Sequence, residues 1–246
     1  MRPFQVHSTL ESIIYSYPTT EQIAVASKCG GSKARLALAR LWLSEGIPYA
    51  FRDRPAVYEE VRFWMASRLG IDPKEISIVG SARIGQSLSP DHAGRPFGEG
   101  SDFDLLAVSA LLFKEIVDDF NKWVYDYETR AVSPKNERER RFWDEHVDRG
   151  PLVIARGFLD ANMVPRLKSY GTSVKIGQTM FLLTEKLKIT PSAPRVRHAS
   201  LRVFNSWGAF VQQAERSLLS LWQKIIPKTA EPNGALDQQD TAPAFR

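Results

Sequence analysis

The sequence predicts an α/β (α+β) fold: a small mixed β-sheet, preceded by N-terminal helices and finished by a C-terminal helical region. Three observations predict it. Up to Leu69 the apolar residues recur at helical steps of three and four, and after Asp72-Pro73 the period falls to two. Two short alternating stretches, 76–79 and 102–109, flank a segment rich in Gly, Ser and Pro, and a long amphipathic stripe follows them. A further alternating stretch at 196–204 comes late and leads into another stripe, so the helical region returns a strand to the sheet.

Taken in order, residues 1–31 carry weak signals and read as a weakly structured segment, and Cys29-Gly30-Gly31 reads as a break before a helix. Leu36, Leu38, Leu41 and Trp42 mark one face of a helix over 33–44, which Gly46 and Pro48 stop. Val57, Val61, Trp64, Met65 and Leu69 mark a second over 55–69, ended by Gly70. Residues 80–101 read as a flexible loop with a helical turn near Ala82. Leu112, Ile116, Phe120, Trp123 and Tyr127 form the stripe of a long helix over 111–127. Mixed charges over 134–149 indicate a solvated helix, and 153–159 and 180–187 read as further helical pieces. Asn205 is placed to cap a closing helix with Trp207, Val211, Ala214, Leu218, Leu221, Trp222 and Ile225 on its core side. The chain thus divides into the 1–31 segment, a core with its leading helices at 32–133, a helical region at 134–226, and a disordered tail at 227–246.

Composition narrows the function classes. The 246 residues hold 33 Lys plus Arg against 28 Asp plus Glu, a net charge of +5, which permits phosphate-rich partners without requiring them. One cysteine, Cys29, excludes an internal disulfide framework and an all-cysteine zinc site, and it has no activating neighbourhood beyond Lys28. No apolar run approaches the roughly 18 residues of a membrane span, and the first residues lack a secretory h-region, so the expected location is cytoplasmic.

The chemistry concentrates between Gly80-Ser81 and Ser101-Asp102-Phe103-Asp104. On an extended strand, residues two apart project to the same side, so Asp102 and Asp104 point together with Cα atoms about 6.6 Å apart. Two carboxylates so placed suit Mg²⁺ (or Mn²⁺), which takes carboxylates, water and substrate phosphates as ligands. Gly80, without a Cβ, lets backbone amides approach an anion, and Ser81 adds a hydroxyl donor. The parts describe a cradle for a metal and a nucleotide's phosphates.

These residues resemble the signature of the polymerase-β-like nucleotidyltransferase superfamily. Gly80-Ser-Ala-Arg-Ile-Gly-Gln-Ser-Leu-Ser89 with Gly94-Arg-Pro-Phe97 is similar, more narrowly, to bacterial nucleotidyltransferase-domain proteins without a settled role. That likeness extends over about 41–221 and includes Gly157-Phe-Leu-Asp160 and Ser200-Leu-Arg-Val-Phe204. It implies an enzyme that moves NMP from an NTP, ATP by default, to a hydroxyl acceptor (a nucleotide, an RNA or a protein) with release of pyrophosphate. In that scheme Asp102 and Asp104 bind the metal and Ser81 contacts the phosphates. A role in antiphage defence or toxin–antitoxin regulation is implied by the resemblance alone.

The chain departs from the pattern in two places. The gap between Ser81 and Asp102 is long, and the superfamily's usual third carboxylate on the next strand has no counterpart in 196–204, which contains no Asp or Glu. Asp160 and Glu185 are the alternatives. The absent acid supports a competing expectation, a nucleotide- or partner-binding regulator without turnover. The basic residues Lys186, Lys188, Arg195, Arg197 and Arg202 offer either a wall for phosphates or RNA or a solvated face. Arg83 and Arg95 are candidates to neutralise phosphate charge. His92, His146 and His198 lack metal-ligand spacing and read as ordinary surface or packing residues.

Overall fold

The computed structural model describes residues 3–225. The tail expected at 227–246 lies outside them. The fold is mixed α/β. Helices α1 (Ser8–Glu11), α2 (Thr20–Cys29), α3 (Gly31–Leu41) and α4 (Pro55–Leu69) precede strand β1 (Ile76–Ile78) and the single turn α5 (Ser81–Ile84). Strand β2 (Phe103–Val108) follows, then α6 (Ala110–Glu128), α7 (Glu137–Ala155), β3 (Phe158–Asp160), α8 (Gly171–Ile189), β4 (Ala199–Phe204) and α9 (Trp207–Ile225). Among the described residues, no helix is long and apolar enough to cross a membrane.

The four strands lie in the order β1-β2-β4-β3. β1 runs antiparallel to β2, β2 parallel to β4, and β3 antiparallel to β4. The late strand therefore enters beside β2, in the middle of the sheet. On one face Ile76, Ile78, Phe103, Leu105, Leu201 and Val203 are buried against α4, α6 and α8, forming the main core. The other face carries Asp104, Leu106, Ser200, Arg202 and Asp160, and α9 lies over it, backed by α2 and α3. Ile23, Leu38, Ile84, Leu218 and Leu221 make a second, smaller core there. The ion pair of Arg35 with Glu215, at 2.8 Å, ties α3 to α9.

The structure corrects four expectations. The 1–31 segment is not weakly structured, because it contains α1 and α2. The start of α2 is fixed by a capping box in which the Thr19 hydroxyl accepts from the Gln22 amide while the Gln22 side chain accepts from the Thr19 amide. Its buried side, Ile23, Ala24, Ala26 and Ser27, consists largely of small residues and gives little hydrophobic periodicity. Residues 153–159 are not one helical piece. The end of α7 reaches Ala155, Gly157 at φ +80° turns the chain, and Phe158 opens β3. The 80–101 loop is partly a short hairpin. Gln86 bridges Pro96, the Ser87 amide donates to the Arg95 carbonyl at 2.8 Å, and Thr20 on α2 donates its hydroxyl to the Gln86 side chain. The cap of α9 is Ser206, whose hydroxyl accepts from the Ala209 amide, while Asn205 accepts the Ser206 hydroxyl. Trp207 at the helix start is exposed rather than part of the core stripe.

Candidate functional site

The site grows from the end of β1. The Val79 amide donates to the Asp104 carbonyl at 3.0 Å, extending the β1–β2 ladder by one residue. The chain then turns at Gly80, with φ +66° and ψ −148°, directly into α5. A Cβ at Gly80 would sit 3.3 Å from Asp104 Oδ2, so glycine serves here both for its backbone angles and for the close approach of the carboxylate. Ser81 is half-buried at the first position of α5.

Asp104 is half-buried on β2, and its Oδ1 accepts a hydrogen bond from Ser200 Oγ at 2.8 Å. Ser200 is its register partner on β4. Asp102 lies just ahead of β2, where the pairing with the β4 side continues. The Phe103 amide donates to the His198 carbonyl, and the Arg197 amide to the Ser101 carbonyl, both at 2.9 Å. The Asp102 carboxylate carries three polar contacts. Arg197 Nε donates to Oδ1 and Nη2 to Oδ2, each at 2.8 Å, and His198 Nδ1 lies 2.8 Å from Oδ1. Burial alone would raise the Asp102 pKa. The Arg197 hydrogen bond and the charges of His198 and Arg197 outweigh it and hold the group below its ordinary value.

Between this sheet face and α9 lies a cavity of about 320 Å³. Leu43, Leu88, Leu218 and Leu221 form apolar walls, and Gly80, Asp104, Ser200, Arg202 and Asp160 form a polar floor. Asp160 and Arg202 face each other across β3 and β4 and form a two-bond ion pair, at 2.7 and 3.0 Å, with the guanidinium over the Phe158 ring. The floor thus holds two carboxylates and one guanidinium, a formal charge of −1. A bare polyphosphate is repelled by such a floor, and one neutralised by divalent cations is not.

Of the residues singled out in the sequence, Gly80 and Asp104 line the cavity together, while Asp102 and Ser81 are not part of its wall. Of the two alternative acids, Asp160 enters the floor, whereas Glu185 sits on α8 and pairs with Lys188 at 2.6 Å. The position beside Asp104 on β4 is Ser200. Among the described residues, no three His, Cys, Asp or Glu side chains converge as a metal-ligand group. The basic stretch is largely spoken for: Lys188 pairs with Glu185, Arg197 with Asp102 and Arg202 with Asp160, and Arg195 lies 4.0 Å from Glu99. Arg95 is exposed on the hairpin, and its carbonyl takes part in the pairing. His198 is no bystander, given its bond to Asp102.

Arg83 is not placed as a phosphate ligand. It is 2% exposed and points away from the cavity, with Nε donating to the Trp42 carbonyl and Nη1 to the Gly46 carbonyl. It closes the C-terminal end of α3, where carbonyls lack helical partners. Burial lowers its pKa, and the neighbouring Tyr58, Tyr17 and Glu45 only partly offset this. Arg83→Ala is expected to remove both bonds and leave a void, lowering unfolding free energy by about 2–4 kcal/mol in a denaturant titration. A loss below about 1 kcal/mol would show that water replaces the guanidinium without cost.

No family model, curated protein or solved structure matches this chain.

Proposed function

We propose that the cavity binds a nucleoside triphosphate, ATP by default, and that the protein transfers its NMP unit to a hydroxyl acceptor with release of pyrophosphate. The observation that carries this reading is the contact of Gly80 with Asp104 at the polar end of a cavity whose other walls are apolar. The polar end suits phosphates and the apolar walls suit a base and ribose. In the reaction the acceptor oxygen bonds to the α-phosphorus as the bond to the bridging oxygen of the β-phosphate breaks. The acceptor proton passes to solvent, and the electron pair leaves with pyrophosphate.

A divalent cation fits the donor set. Asp104 is a hard oxygen donor on the cavity floor, and one carboxylate suffices when phosphates complete the shell, whereas Asp102 lies outside the wall and already holds a guanidinium. When bound, Mg²⁺ or Mn²⁺ supplies charge stabilisation for the phosphoryl oxygens. The chain's own groups position the rest. Ser200 fixes the Asp104 rotamer, Gly80 leaves room for a phosphate beside the carboxylate, and Arg202 brings positive charge to the floor while Asp160 holds it in place.

Ser200 at the position where a third acid is usual favours a second reading, nucleotide binding without turnover. The two separate when purified protein is incubated with labelled ATP, GTP, CTP and UTP, Mg²⁺ or Mn²⁺, and a cell extract as acceptor source. Pyrophosphate and labelled product that disappear in the Asp102→Ala, Asp104→Ala double variant support transfer. Metal-dependent nucleotide binding with no product supports the second reading. Product unaffected by the double substitution removes the first.

A further inference from the structure

We propose that the cleft beside Arg83 is a second binding site, for a small monocarboxylate with an aromatic or branched apolar body. The cleft, of about 560 Å³, lies between residues 13–17, which join α1 to α2, and the turn that follows α3. Its size is that of a small-molecule site. Two hydrogen bonds hold its walls together. Trp42 Nε1 donates to the Tyr15 carbonyl at 3.2 Å, and the Tyr17 hydroxyl donates to the Ile47 carbonyl at 3.1 Å. Ile14, Tyr15, Leu41 and Ile47 line the cleft and stay exposed, an apolar surface that nothing among the described residues covers.

Arg83 supplies the polar end. A guanidinium as deeply buried as this one is normally paired with a carboxylate. Here Nε and Nη1 are taken by the Trp42 and Gly46 carbonyls, and among the described residues no carboxylate bonds to the group. Nη2 has no partner there either, yet it is not among the unpartnered atoms sealed from solvent, so it opens into the cleft that Arg83 lines. Gly46 leaves the space beside it clear, since a Cβ at Gly46 would lie 3.6 Å from Nη2. Of the other charges on the wall, Arg52 is engaged by Asp53 at 3.4 Å and by the Tyr49 ring, and Glu45 is exposed. A phosphate is recognised by a fork of several donors, and a dianion would meet repulsion from Glu45. The single free end of Arg83 suits one carboxylate, which supplies the missing counter-charge while the apolar walls take the body of the ligand.

The test titrates the full chain in a calorimeter with 3-phenylpropionate and with its neutral isostere 3-phenylpropanamide. The acid is expected to bind with a Kd of about 0.1–10 mM, and the amide about tenfold more weakly. Arg83→Met keeps the stem, removes the donors and should abolish that preference. Because Arg83 also supports the fold, Ile14→Glu is the second variant. Its position is exposed, so folding is unaffected, and repulsion should cut the preference about threefold. Asp104→Asn, in the other cavity, should change neither affinity. Failure of the acid to bind, or equal affinity for acid and amide, would overturn the proposal. So would a preference undiminished in folded Arg83→Met or in Ile14→Glu, or loss of binding in Asp104→Asn. If Arg83→Met does not fold, Ile14→Glu decides alone. None of these outcomes bears on the nucleotide reading.

Discussion

Asp104→Asn is expected to reduce pyrophosphate release by about 10²–10³-fold while leaving the fold intact. The asparagine has the shape of the aspartate, and its carbonyl oxygen can still accept the Ser200 hydroxyl. What it lacks is the negative charge beside Gly80, at the polar end of the cavity. A defect in binding or in chemistry therefore traces to charge, not to packing. Ser200→Ala is the graded companion. It keeps the charge and removes the bond that fixes the rotamer, so a loss of about tenfold is expected. The measurements are initial rates with saturating NTP and Mg²⁺, alongside thermal midpoints for both variants. An Asp104→Asn rate within threefold of wild type would remove Asp104 from the site. A larger defect in Ser200→Ala than in Asp104→Asn would mean that the serine acts on substrate directly.

Much of the architecture was legible because the segments that form it have strong local signals. The stripe from Val57 to Leu69 predicts a helix over 55–69, and α4 occupies Pro55–Leu69. The two short strands and the long helix behind them appear as β1, β2 and α6, and the late strand appears as β4 beside β2. The features that were not legible depend on partners far away in sequence. β3 has three residues, too few to show alternation, and it exists because Leu159 pairs with Val203. Asp102 reads in the sequence as a free carboxylate. Its actual partners, Arg197 and His198, lie more than ninety positions later and come beside it only through the parallel pairing of β2 with β4. That same register puts Ser200 beside Asp104, and the antiparallel pairing of β3 with β4 sets Asp160 opposite Arg202, so the polar floor depends on strand order, which local pattern does not encode. Arg83 shows the converse. It neighbours a phosphate-like motif, yet the nearest unsatisfied acceptors are the carbonyls beyond α3.

Gly150→Ala is expected to destabilise the protein by about 2 kcal/mol or more, the reverse of what glycine-to-alanine normally does inside a helix. Gly150 lies within α7, where alanine should gain roughly 0.5–1 kcal/mol from reduced backbone freedom in the unfolded chain. The added Cβ, however, would fall 1.9 Å from Phe120 Cζ. Phe120 is 2% exposed and packs edge-on against Trp123, with ring centroids 5.5 Å apart, and Trp123 in turn meets Trp143 of α7. The ring has no free space to enter, so the strain passes either to this aromatic cluster or to the seating of α7 on α6. For a chain of this size, 2 kcal/mol corresponds to a fall of about 4–8 °C in thermal midpoint. Gly171→Ala supplies the control. It opens α8, its Cβ would meet nothing within 4 Å, and its effect should stay within about 0.5 kcal/mol. Equal midpoints for the two variants would mean that α7 can shift away from Phe120 without loss. The packing of the helical region against the sheet would then be looser than the contacts of Trp123 and Trp143 require.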